Sequence, residues 1–205
     1  MQYFDTLPKI IHTNDNGVST IMTNLMARVS ILPDILKNPM VYYKYDVQDG
    51  DTPEIVAHKY YDDPYRYWIV LFANKMLDPQ WDWPLNSLQF NEYVNEKYGN
   101  TLSNLHHYEK VITKTTRGTD EDQTVVESFI ISGEEFVGLL YSHPFGIDVA
   151  RTFSLPIGFV DITIQPTPIT NYEYEMKLNE SKRNINILNS KYVDQLEKEF
   201  QDLMS

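Results

Sequence analysis

Residues 45–74 read YDVQDGDTPEIVAHKYYDDPYRYWIVLFAN, and the punctuation of this stretch decides the fold class. Residues 41–47 are rich in Tyr and Val and lie between Pro39 and the turn Gln48-Asp49-Gly50-Asp51, which predicts a strand. Gly50 supplies the positive φ that a tight turn demands. Thr52-Pro53-Glu54 then reads as a helix start, with Thr as N-cap, Pro in the first turn and an acid beside the positive end of the dipole. Val56, Ala57 and Tyr60 share one helical face, and Asp62-Asp63-Pro64 stops the helix. A second helix is predicted over 65–74, with Trp68, Leu71 and Phe72 inward and Asn74 as its C-terminal stop.

Outward from this unit the patterns change. Residues 1–20 alternate apolar and polar patches and end in Asn14-Asp15-Asn16-Gly17, a strong turn signal, so they read as an extended arm that orders on a partner. Ser19 or Thr20 can cap a helix through Leu32, on which Ile21, Leu25, Val29 and Leu32 share a face before Pro33 ends it. Residues 78–84 form a loop rich in Pro and Trp, followed by a helix over 87–98 that Gly99 closes. Residues 107–116 and 124–132 are β-branched and flank the polar turn Arg117 to Asp122, which predicts a hairpin. Residues 159–165 predict another strand, closed by Pro166 and Pro168. From Thr170 to Met204 there is neither Gly nor Pro, and Ile185, Leu188, Tyr192, Leu196, Phe200 and Leu203 step at helical spacing. This predicts one long helix of roughly 45 Å, whose apolar stripe needs cover from its own domain or another chain. The whole is α+β: a small strand-helix-helix unit, a β-rich middle and a long C-terminal α-helix.

Composition narrows the function classes. Net charge is −12 with 205 residues, and an acidic surface repels phosphate backbones, so no nucleic-acid partner is expected. No run of 18 apolar residues offers a membrane span, and the N-terminus lacks the apolar core of a secretory signal. The absence of cysteine removes disulfides, thiolate metal sites and a Cys nucleophile, and fits synthesis in a cytoplasm. No acid or nucleophile stands in a catalytic pattern such as Gly-x-Ser-x-Gly, His-Glu-x-x-His or a phosphate loop, so no enzyme, cofactor or small-molecule substrate is expected. His106 and His107 are adjacent and expected to face opposite sides of a strand, and with His143 far away they predict no metal site. Fifteen Tyr and three Trp in a chain this size point to interfaces as well as core.

In order and spacing, Tyr45-Asp46-Val47, Gly50-Asp51-Thr52, Val56-Ala57, Tyr60 and Asn74 resemble a LysM domain. The Tyr60-Tyr61-Asp62-Asp63-Pro64 run, then Tyr67-Trp68 and Asn74, then Asp78-Pro79 with Trp81 and Trp83, narrows this further. Together with Asn179-Glu180, Lys182-Arg183 and the alternating Ile185 and Ile187, it is similar to the LysM-containing baseplate wedge proteins of T4-like contractile-tailed phages. Residues 62 and 75–88 depart from the LysM pattern, with Asp62 where Gly is common and no closing strand visible after Asn74. The division expected is 1–40 arm and helix, 41–100 LysM-like domain, 101–169 β-rich region and 170–205 long helix.

The resemblance implies a structural subunit of the virion's tail baseplate that joins wedge components and neighbouring wedges during assembly. Its partners would be other baseplate wedge subunits, namely the core bundle, a sheath-initiator-like protein and adjacent wedge copies. The interface residues expected are Tyr65, Trp81, Trp83, Ile185, Leu188, Tyr192, Leu196 and Phe200. A LysM sugar groove would be lined by Asp49, Gly50, Asp51, Thr52 and Asn74, although turn and cap chemistry alone explains the Gly and the Thr. The alternative function is a peptidoglycan-binding LysM module.

Overall fold

The computed structural model describes residues 3, 7–27, 40–117, 122–141, 149–155 and 158–204. The chain is α+β and divides into two units, residues 1–90 with 179–205, and residues 91–178.

The first unit is built on strand β3 (Tyr42–Asp46), helix α1 (Pro53–Tyr61), a 3-10 turn (Pro64–Arg66) and helix α2 (Tyr67–Ala73). Each boundary follows the sequence signals: Thr52 accepts a hydrogen bond from the Ile55 amide, Pro53 sits in the first turn, and Asp62 ends α1 in the left-handed region at φ 54°. The strand that pairs with β3 is β8 (Asn184–Leu188), antiparallel from Tyr42↔Leu188 to Asp46↔Asn184. The core lies between this ribbon and the helices, with Val47, Val56, Ile69, Val70, Ile185 and Ile187 almost fully buried. A helix α3 (Pro79–Asp82) follows α2, and α7 (Val193–Met204) closes the unit with Val193, Phe200 and Met204 inward.

The single long helix expected over 170–205 is therefore two helices around a strand, α6 (Asn171–Ser181), β8 and α7. Asn184-Ile185-Asn186-Ile187 alternates with period two, and pairing with β3 seats Ile185 and Ile187 in the core. That burial outweighs the helical spacing of the stripe. The N-terminal expectation also changes. Residues 19–23 do not begin a helix but form β2 (Ser19–Thr23), paired with β1 (Lys9–Thr13) around the predicted Asn-Gly turn, where Gly17 has φ +77°. The remainder of the helix expected to run through Leu32 lies largely outside the described residues.

The second unit holds a four-stranded antiparallel sheet in the order β5-β4-β7-β6, made of β4 (Leu105–Arg117), β5 (Gln123–Ile131), β6 (Val149–Leu155) and β7 (Gly158–Thr170). Helix α4 (Ser87–Tyr98) leads into it, and α5 (Gly133–Tyr141) follows β5 and stacks Phe136 on Tyr108 at 4.2 Å between ring centres. The predicted hairpin is β4–β5, and residues 118–121 of its tip lie outside the described residues. β7 does not stop at Gln165 but runs on through Pro166 and Pro168. Its pairing with β6 ends at Ile164, so among the described residues β7 is an edge strand beyond that point, where a missing N–H is tolerated.

Candidate functional site

The turn between β3 and α1 brings Asp49, Gly50, Asp51 and Thr52 together, and its own chain uses them all. Gly50 has φ +87°, a conformation closed to most side chains. The Asp51 carboxylate accepts hydrogen bonds from the Tyr45 hydroxyl, the Gln48 amide at 3.2 Å and Lys59 Nζ at 2.7 Å. Desolvation acts to raise its pKa, but Lys59, Tyr45 and the Gln48 amide together hold it below the usual aspartate value. The Asp51 carbonyl accepts from Trp83 Nε1 at 2.9 Å, and Asp49 accepts from both the amide and the hydroxyl of Ser87. Asn74 is held by other elements. Its side chain donates to the carbonyls of Val70 and Asn186 and accepts from the Asn186 amide, clamping α2 to β8. The five residues expected to line one sugar groove are thus held by two different sets of bonds, those of the turn and those of the α2–β8 clamp.

The residues expected at an interface also separate. Trp83, Ile185, Leu188 and Phe200 are buried in the chain's own core, because β8 and α7 fold back onto α1 and α2. Phe200 packs on Trp68 at 4.9 Å, in a ring cluster with Tyr3 and Phe72. Tyr65, Trp81 and Tyr192 remain exposed on the first unit. Leu196 is partly buried against the core. With Val41, Tyr42, Leu188, Tyr192 and Glu199 it borders a shallow groove of about 230 Å³, and the Tyr42 hydroxyl is buried with no hydrogen-bond partner among the described residues. Arg66 fixes α7 beside the 3-10 turn through a two-pronged pair with Glu197 at 3.0 and 3.1 Å and a third bond to Asp194.

In the second unit the adjacent histidines do meet, against the expectation from strand alternation. A register shift between Leu105 and His107 interrupts the alternation and leaves the two Nδ1 atoms 2.7 Å apart. His106 stacks on Tyr174, and His107 Nε2 lies 3.0 Å from Glu109, which also receives Lys177 at 2.6 Å. No group of three or more His, Cys, Asp or Glu is arranged for a metal among the described residues, and His143 lies outside them. A second buried carboxylate, Glu175, receives Lys97 at 2.7 Å and the hydroxyls of Tyr98 and Tyr93.

Sequence reasoning passed over two surfaces. The β1–β2 hairpin exposes Ile11, Ile21 and Met22, and β5 exposes Val125, Val126, Phe129 and Ile130. The signal for the second was present: Val125-Val126 and Phe129-Ile130 are adjacent apolar pairs, so neither face of that strand can be polar throughout.

Two comparisons bear on identity. The family model described as Base plate wedge protein 53 matches residues 2–121. No curated protein matches the chain.

Proposed function

The chain belongs to the base plate wedge protein 53 family, and from that premise we propose that it joins the components of a phage contractile-tail baseplate wedge to one another and to neighbouring wedges. Membership gives it a structural role in the tail baseplate of the virion. The finer role is docking without turnover, with wedge subunits as partners. The observation that carries it is the family match together with large apolar side chains left in solvent on both units: Tyr65, Trp81 and Tyr192 on one, Val126, Phe129 and Ile130 on the other. Aromatic residues of this kind anchor interfaces.

The unit β3-α1-α2-β8 acts, on this reading, as a LysM-like adaptor. Its strand-helix-helix-strand order, the capped turn at Thr52 and the antiparallel β3–β8 pair support it. The closing strand missing after Asn74 is then β8, delivered from far downstream. Sugar binding is not part of the proposal, since Asp49, Asp51 and Asn74 already hold intramolecular partners.

Sedimentation velocity tests the joining role. The purified chain, mixed with the other wedge subunits of its phage, should form a discrete larger complex absent from either alone. A chain that sediments unchanged in the mixture but pellets with insoluble peptidoglycan would overturn the proposal in favour of a glycan-binding module.

A further inference from the structure

We propose that β5 is an acceptor edge, to which an extended strand from a different wedge subunit adds along Gln123–Ile131 and widens the sheet from four strands to five. The inference rests on the wedge-joining role and assigns it a surface and a kind of partner.

Among the described residues β5 pairs on one side only, with β4. All of its residues except Ile131 are exposed. Its outward N–H and C=O groups therefore form a row of unpaired donors and acceptors, the template that an added strand recognises. Soluble proteins guard such edges with proline, charged side chains, a bulge or brevity. β5 carries one such residue, Glu127, whose charge is matched by Lys114 of β4, and none of the other devices. It is nine residues long, contains no Pro, Lys or Gly, and keeps an unbroken register from Tyr108↔Ile131 to Thr116↔Gln123. Among the described residues β7 beyond Ile164 is also open on one side, and there it carries Pro166 and Pro168. The central observation is the length and unbroken register of β5, longer than the seven residues of the opposite edge strand β6.

The side chains specify the occupant. Val125 and Phe129 project to one face, Val126 (61% exposed) and Ile130 (74% exposed) to the other. An incoming strand would set its own side chains roughly 5 Å from these, so it needs apolar residues on both faces. A second copy of this chain fits poorly. Full-length antiparallel self-pairing centres on Glu127 and sets that carboxylate against its own copy, between two chains each carrying net charge −12. Glu127 is instead matched within the sheet by Lys114 at 2.9 Å. The occupant is thus a strand of another subunit, apolar on both faces, with a neutral or basic residue opposite Glu127.

Backbone hydrogen exchange of the full-length chain, alone and mixed with the other wedge subunits of its phage, tests this. Peptides covering 123–131 should exchange at least tenfold more slowly in the complex than in the free chain. Val126→Lys with Ile130→Lys, both at exposed positions, should weaken complex formation at least tenfold while exchange elsewhere in the free chain stays unchanged. If this double variant misfolds, the exchange of the natural chain decides alone. A complex that forms with 123–131 exchanging as in the free chain overturns the acceptor edge and leaves the joining role standing. Protection of 123–131 in the chain alone, with dimers in sedimentation, overturns the choice of occupant in favour of a second copy. Failure of any complex to form removes the joining role, and the acceptor edge with it.

Discussion

Asn74 does three things with one amide: it satisfies the Val70 carbonyl at the end of α2 and both backbone groups of Asn186 on β8. Asn74→Ala leaves those two part-buried strand groups without their partners, and a loss of about 2 kcal/mol is expected in urea denaturation, the low end for two groups at about 1–3 kcal/mol each. The sequence made Asn74 legible as a helix stop. Its clamp was not legible, because Asn186 lies 112 residues away and local patterns carry no such pairing. The buried acids behave in a linked way with pH. Desolvation acts to raise Glu109 and Glu175, but Lys177 and His107 on the first, and Lys97 and Tyr98 on the second, hold both below the ordinary value of 4.5. Their folded forms bind protons less readily than the unfolded chain, so the stability they contribute is complete above pH 4.5 and is lost as pH falls from there through their depressed folded values. The urea midpoint of the second unit should drop over that range. Glu175→Gln should flatten the drop while lowering stability at neutral pH.

At the scale of elements, β8 is the decisive piece. Two periodicities overlap in its sequence, the 3-and-4 stepping that runs on to Leu203 and the period-two alternation of Asn184 to Ile187. Only the unpaired edge of β3 chooses between them, and that edge is remote in sequence. Hence α1, α2 and the β4–β5 hairpin could be read from caps, turns and β-branched runs, while the break in the C-terminal segment could not. The two ends of the stripe now separate in their expected effects. Ile185→Asp places a carboxylate in the core of the first unit, and a loss of about 4 kcal/mol or more is expected in chemical denaturation. Leu203, 70% exposed, should tolerate Ser within about 0.5 kcal/mol. The expected interface residues divide likewise. Tyr65, Trp81 and Tyr192 stay in solvent, whereas Ile185, Leu188 and Phe200 serve the fold, and only long-range burial distinguishes the two groups.

For the molecule as a whole, the first unit is made from two stretches of chain, and residues 91–178 interrupt it. A chain ending at Leu178 would lack β8 and α7 and with them Ile185, Ile187 and Phe200 of the core. Hydrogen exchange should then show residues 42–73 losing protection while β4 and β7 keep theirs. The sequence pointed to a compact unit over 41–100 but gave no sign that its last strand is stored near the C-terminus, since a strand signal does not say which strand it will pair with. This arrangement sets a schedule on the ribosome. Tyr43 and Asn189, which meet across the finished ribbon, are 146 residues apart. At about 5–20 residues per second, roughly 7–30 s of translation separate them. Throughout that time β3 waits with an open edge, and the interrupting unit can fold first. A nascent chain released early therefore never closes its first unit, and only a message read through β8 and α7 yields a subunit with a sealed core.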